Sequence, residues 1–443
     1  MIRRYQTECI NKIFSDDNKF RTWYLVELAY LRAYLAHADK KDPDLLKRLQ
    51  HRVDTIDWKA FVLRVSDYEQ EVRHDVIAFL QALEDELGED ARLIHLGLTS
   101  SDIVDTSGAF LLKAACKEII ARLDELIQIV FEKANLHRGV VCLGRTHGQA
   151  AEPTTFGIKL LTHLCEFIRC RKRLCEAMTG ISVGKFSGAV GVYAHTDPMV
   201  ENEALAILGL NAETVATQVV ARDRYAEVFT SLAILAGSVE RMATEIRLLM
   251  HGQLQEVFEP FNARQKGSSA MPHKKNPILS ENLTGLMRLI RSYAQAALEN
   301  QALWHERDIA HSSVERVIIP DAFSVMDFAL TRLCGLIEHL VVDQERMLQN
   351  LRPYADVLHS QGVMLALVKK GLMRKEAYEI VQRASLAKNS KSFAQNLLDA
   401  GVDRRLKQEE LMSCLTDNMA IRHEDILFER VKGLMNHIQP AQQ

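Results

Sequence analysis

The chain has no C-x-x-C pair, no block of basic residues and no uninterrupted apolar run long enough to span a bilayer. Each absence excludes a class of protein. Cys9, Cys116, Cys142, Cys165, Cys170, Cys175, Cys334 and Cys414 are scattered, which argues against a zinc ribbon or a redox motif. Cys165, Cys170 and Cys175 read as small buried hydrophobes, and reduced thiols make the expected location cytoplasmic. A formal net charge of -3 without a basic block argues against nucleic-acid and membrane-surface partners. The opening residues Met1 to Glu8 are interrupted by polar side chains, so they form no signal-peptide core. Proline is missing between Pro43 and Pro153, between Pro198 and Pro260, and between Pro277 and Pro320. Long helices need such stretches.

What is present has helical rhythm. Val228, Leu232, Leu235, Val239, Met242, Ile246 and Leu249 alternate steps of four and three, the seam of helices packing at a shallow angle. Leu112, Cys116, Ile119, Leu123, Leu126 and Val130 repeat it, as do Leu283, Leu286, Ile290, Tyr293 and Ala297. Phe156 to Leu174 and Ala322 to Leu340 read as two more amphipathic helices. No strong strand alternation competes. The expectation is an all-α fold with a central bundle of roughly five long helices. Helical units flank it, with boundaries at residues 1–104, 105–351 and 352–443. Helices are expected around Lys375–Ala387 and Lys407–Cys414 in the last unit. Thin end units leave much of the bundle surface apolar, which predicts a symmetric homo-oligomer.

One stretch between two heptad-patterned segments stands apart: Gly267-Ser268-Ser269-Ala270-Met271-Pro272-His273-Lys274-Lys275-Asn276-Pro277. The glycine permits a sharp turn, the prolines stiffen it, and hydroxyls, backbone N–H groups and Lys274 make a nest for a carboxylate or a developing oxyanion. Read alone, it is equally a solvated connecting loop. The run resembles the G-S-S-x-M-P-x-K-x-N-P signature of the fumarase/aspartase superfamily, an eleven-residue and highly specific motif. Two further runs resemble that superfamily's other site segments: His95-Leu96-Gly97-Leu98-Thr99-Ser100-Ser101-Asp102 and Gly144-Arg145-Thr146-His147-Gly148-Gln149. A lone histidine is more often structural, but three motifs in the family's order reverse that judgement for His147. His95 stands between a packing role and a functional one.

Within the superfamily the chain is similar to the adenylosuccinate lyase family. Arg4-Tyr5 resembles that family's nucleotide-contacting pair, and Arg73-His74-Asp75 its R-H-D segment. Gln218 stands where the family has a substrate-binding glutamine. The run from Trp304 to Arg316 matches W-H-E-R-D…H-S-S…E-R, in which Arg307, Ser312 and Arg316 hold the nucleotide. After Thr146-His147-Gly148, Gln149-Ala150 departs from the Val-His of some relatives.

The resemblance implies a β-elimination of fumarate from a succinyl-amino nucleotide, with no metal and no organic cofactor. It implies Ser268 as base, His147 as general acid, Lys274 as a carboxylate contact, Glu281 as a group that orients His147, and His74 as an assisting histidine. Arg4, Tyr5, Arg73, Asp75, Thr99, Ser100, Gln218, Asn276, Arg307, Ser312 and Arg316 are the implied substrate contacts. It further implies a homotetramer whose sites are shared between chains. The competing readings are another lyase of the superfamily, such as argininosuccinate lyase or a carboxymuconate-cycloisomerising relative, and a non-enzymatic helical scaffold.

Overall fold

The computed structural model describes residues 2–38, 42–261, 264–268, 270–416 and 421–436. The first helices are α1 (Glu8–Ile13), α2 (Asp16–His37), α3 (Pro43–Thr55), α4 (Trp58–Val72) and α5 (Asp75–Leu87). Their starts are set by side chains that accept orphan backbone N–H groups: Asp42 from Leu45, Asp57 from Lys59 and Ala60, and His74 from Ile77. An aromatic cluster joins three of them. Phe20 meets Trp23 edge-on at 5.2 Å and stacks on Phe79 at 6.0 Å, with Phe61 at 5.9 Å from Phe79.

The bundle follows: α6 (Ser100–Leu136), a hairpin of β1 (Val141–Thr146) and β2 (Gln149–Thr155), then α7 (Phe156–Ile181). An excursion through β3 (Val183–Gly184), α8 (Pro198–Leu208) and β4 (Asn211–Ala212) leads to α9 (Asp223–Leu249). Next come β5 (Val257–Phe258), α10 (Ile278–Glu299), α11 (Ala310–Glu338) and β6 (Val341–Val342). The seven seam positions of α9 from Val228 to Leu249 are all buried, as are Leu112, Cys116, Ile119, Leu123, Leu126 and Val130 of α6. These side chains form one continuous core with α7, α10 and α11. The fold is all-α, with three small two-stranded ribbons among the described residues: β1/β2 and β5/β6 antiparallel, β3/β4 parallel.

One helix differs from the expectation. α11 begins at Ala310 and carries Pro320 in its interior rather than starting after it. Proline removes the N–H that would bond the Arg316 carbonyl, and the helix absorbs that loss in its first third. The Ser324 hydroxyl turns back onto the Pro320 carbonyl at 2.7 Å.

The chain continues through α12 (Gln344–Leu351), α13 (Ala355–Leu358), α14 (Ser360–Lys369), α15 (Arg374–Ser385), α16 (Phe393–Asp399) and α17 (Gln408–Cys414). Val363, Leu367, Val381, Phe393, Leu397 and Leu411 give this part its own small core. The last helix, α18 (Glu424–Asn436), leaves that core and lays Phe428 and Val431 into the bundle. No helix among the described residues is long and apolar enough to cross a membrane.

Candidate functional site

The helices that carry the singled-out residues sort them to two ends of the bundle. α6 is 37 residues long. At 1.5 Å per residue that is about 55 Å. Thr99 and Ser100 stand at its start, and the hairpin bearing His147 follows its end. The hairpin's six-residue strand spans only about 20 Å, so it cannot bring His147 back to Thr99. α9 separates Gln218, before it, from the Ser268 loop beyond it, and α10 separates Glu281, in its first turn, from Arg307.

At the first end, short bonds link the pieces. Thr99 caps α6 in a capping box with Asp102, whose Oδ2 accepts the Thr99 N–H at 2.8 Å. Arg307 Nη1 donates to Gln218 Oε1 at 3.1 Å, and Arg316 Nη2 donates to Asp75 Oδ2 at 2.6 Å. Arg73 closes α4 in a left-handed conformation, φ 55°, which swings the chain so that His74 starts α5. His74 Nδ1 accepts the Ile77 N–H at 3.4 Å and lies 3.6 Å from Asp75 Oδ1, with the side chain exposed. Ser312 lies in the first turn of α11, half-buried. Lys19, which the sequence did not single out, lies on α2 beside this group. Burial, and then the neighbouring Arg316, push its ammonium pKa down.

At the second end, His147 occupies a two-residue turn between Thr146 and Gln149. His147 and Gly148 have φ of 54° and 73°. Two left-handed residues make a type I′ turn, whose twist suits a hairpin. The turn puts an exposed imidazole at the tip. Two buried glutamates hold the hairpin, one near its tip and one at its base. Glu256, fully buried, pairs with Arg145 (Nη1–Oε2 3.2 Å) and accepts Asn350 Nδ2 at 2.8 Å. Glu424 accepts the Gly139 N–H at 3.0 Å and the Thr155 hydroxyl.

The loop lies at the same end. Ser268 Oγ accepts the N–H groups of Ala270 (3.3 Å) and Met271 (3.1 Å). Such donors favour negative charge on that oxygen. Asn276 Nδ2 closes the loop onto the Gly267 carbonyl at 3.0 Å. A Cβ on Gly267 would lie 2.1 Å from the Lys274 carbonyl oxygen, so the closure needs glycine there. Ser269, expected to add a hydroxyl, lies outside the described residues. Glu259, also missed in the sequence, caps α10. Its carboxylate accepts the N–H groups of Leu279 (3.0 Å) and Ser280 (2.8 Å), which orients the turn bearing Glu281. Tyr5 packs edge-on against Phe328 at 5.1 Å and lies 3.5 Å from Asn282 Nδ2, so the Arg4-Tyr5 pair sits beside the start of α10.

Lys274, Glu281 and His147 are exposed. Among the described residues, no hydrogen bond or ion pair joins Ser268, Lys274 or His147 to His74, Gln218, Arg307 or Arg316. His95 donates its backbone N–H to Glu27 Oε2 (2.9 Å) and holds its Nδ1 at 2.7 Å from Glu27 Oε1. That gives His95 a fixed ring beside Thr99.

With this geometry in hand, the comparisons with known proteins are specific. The model of the family described as Lyase matches residues 7–291, and that described as Adenylosuccinate lyase C-terminus matches residues 356–431. An adenylosuccinate lyase of Synechocystis sp. is 46% identical over 97% of this chain and 100% of its own length. That of Aquifex aeolicus is 42% identical over 98% of this chain and 99% of its own. Among solved structures, a fumarate lyase from Mesorhizobium sp. BNC1 superposes with a TM-score of 0.86 at 25% identity, covering 98% of this chain and 99% of that one. A 3-carboxy-cis,cis-muconate lactonizing enzyme from Pseudomonas putida superposes with a TM-score of 0.84 at 26% identity, covering 98% of both.

Proposed function

The chain belongs to the adenylosuccinate lyase family, and from that premise we propose that it eliminates fumarate from adenylosuccinate, giving AMP, and from succinyl-aminoimidazole-carboxamide ribotide, giving the free carboxamide ribotide. It is a carbon–nitrogen lyase of purine nucleotide synthesis. The 41% to 46% identity to adenylosuccinate lyases, against 26% to the muconate enzyme, favours this over the other superfamily activities.

The reaction removes a proton from the carbon beside one succinyl carboxylate and breaks the C–N bond on the neighbouring carbon. The carbon acid is weak. It ionises only if the adjacent carboxylate can take up the electron pair, so that carboxylate needs positive charge and N–H donors. Lys274 supplies the charge. Ser268 takes the proton. A serine hydroxyl is a poor base, and the two N–H groups aimed at its oxygen are the observation that carries the assignment, because they lower the cost of the alkoxide. His147 protonates the leaving nitrogen, and Glu281 orients it. His74 assists at the leaving group. Gln218, Arg307, Ser312 and Arg316, with Arg4 and Tyr5, hold the nucleotide. Thr99, Ser100, Arg73, Asp75 and Asn276 complete the grip.

Each site is built from more than one chain of a homotetramer. The support is the length of α6, which keeps His147 from Thr99 within one protomer, and the exposure of Lys274, Glu281 and His147. Cytoplasmic location fits the reduced, unpaired thiols. The deciding experiment is an ultraviolet assay of purified protein with both ribotides, combined with a fumarate assay. Equimolar fumarate and AMP are expected from adenylosuccinate. Release of fumarate from neither ribotide overturns the reading.

A further inference from the structure

Beneath the first end lies a buried charge network that no substrate contact explains. Arg222 stands just ahead of α9, with its side chain 2% exposed. Its Nη1 and Nη2 donate to Asp105 of α6 at 2.7 and 3.0 Å. Its Nε and Nη2 donate to Glu315 of α11 at 3.0 and 3.1 Å. Nη1 also donates to the Val220 carbonyl at 2.8 Å, and Asp105 Oδ2 accepts the Val220 N–H at 2.8 Å. The guanidinium therefore makes two forked pairs to carboxylates from different helices and fixes its own approach segment. Its plane also lies 4.7 Å over the Tyr225 ring.

Each partner sits next to residues assigned above to the substrate. Asp105 is one turn beyond Ser100. Glu315 adjoins Arg316 and is one turn beyond Ser312. Val220 is two residues from Gln218, which in turn holds Arg307. We propose that Arg222 is a positioning residue for the lyase reaction, tying the start of α6, the segment before α9 and the start of α11 into one rigid nucleotide-binding surface. A lysine cannot replace it in this role. A single ammonium lacks the planar fork needed to bridge two carboxylates at once. Loss of the bridge frees the three segments to shift relative to one another, which weakens the grip on the nucleotide before it touches the distant Ser268 loop.

The inference rests on the adenylosuccinate reading for its ligand, AMP. The test compares Arg222→Lys with the parent in three measurements: calorimetric AMP binding, steady-state kinetics, and hydrogen exchange. The expected result is AMP affinity and KM weakened by about tenfold or more, with kcat within about threefold, because the lost contacts are made equally in ground and transition states. Exchange quickens over residues 217–220 and 307–316 and is unchanged over 270–276. Parental affinity and parental exchange in a folded Arg222→Lys protein overturn the proposal. Should that variant fail to fold, Glu315→Gln removes one ionic partner while keeping its shape. It should shift KM and α11 exchange in the same direction, and parental values in it overturn the proposal equally. If the parent itself binds no AMP, the adenylosuccinate reading fails, and the exchange comparison alone still decides the role of Arg222.

Discussion

Arg145 and Glu256 form an ion pair, Nη1 to Oε2 3.2 Å, that ties the His147 end of the hairpin to the segment leading into the serine loop. Glu256 is fully buried, so its charge is tolerated only while paired. The pair links the proposed acid to Glu259, three residues on, which caps the helix carrying Glu281. Arg145→Met leaves that carboxylate with Asn350 alone. We expect a lower melting temperature and a kcat reduced by about tenfold or more, the range seen when supporting groups around catalytic residues are lost. Parental kcat in the folded variant rejects the coupling.

Ser268→Ala and His147→Ala each remove one proposed proton-transfer group. Turnover should fall by at least about a hundredfold in each, while AMP binding changes little. The measurement pairs steady-state rates with calorimetry. Near-normal turnover in either variant rejects that residue's role.

Shared sites predict complementation. His147→Ala and Arg316→Met hit opposite ends of the bundle, and each should be inactive alone. After mixed denaturation and refolding, hybrid tetramers contain sites with both parental ends, and about a quarter of parental activity should return. No recovery, with subunit exchange shown by native mass spectrometry, counts against shared sites.

The Ser268 loop should be more sensitive than the fold around it. In Gly267→Ala the new methyl meets the Lys274 carbonyl oxygen at 2.1 Å and reopens the closure made by Asn276. Activity should drop by about tenfold or more with the melting temperature nearly unchanged, since the loop contributes little apolar burial. A variant with parental kcat shows the closure to be dispensable.

Acid stability has an identifiable source. Burial, and then Arg241, push the His163 imidazole down to about 4. Burial, and then Arg222, do the same to His311, also to about 4. Between pH 6.5 and 4 the unfolded chain binds protons that the folded chain refuses, so stability from these groups is complete above 6.5 and is lost as pH falls. Glu315 acts in the opposite sense. Burial outweighs Arg222 and pushes it up to about 7, so its contribution declines as pH rises towards 7. His163→Leu should narrow the gap in melting temperature between pH 7 and pH 5. Scanning calorimetry at both values checks this, and an unchanged gap removes His163 as a cause.

The bundle was legible in the sequence because its seam is periodic and every seam residue of α9 faces the core. The superfamily signature runs were legible because they are contiguous. The start of α11 was not, since Pro320 reads as a stop, yet a helix can absorb a missing N–H near its first turns. The hairpin was not legible either. Val141–Thr146 and Gln149–Thr155 alternate weakly, and Pro153 argues against a strand. The anchors of the site were invisible for a different reason. Arg145 and Glu256 are 111 positions apart, Arg222 and Asp105 117, and Thr155 and Glu424 269. No local pattern encodes a pairing at that range.

Ile10 and Phe428 share one core, so the bundle is sealed jointly by α1 and α18, helices far apart along the sequence. During synthesis the ribosome must release α18 before that seal can form. Glu424, which steadies the hairpin bearing His147, emerges in the same late stretch. A nascent chain can therefore assemble its first helices early, but the hairpin bearing His147 stays unanchored until α18 is free to dock.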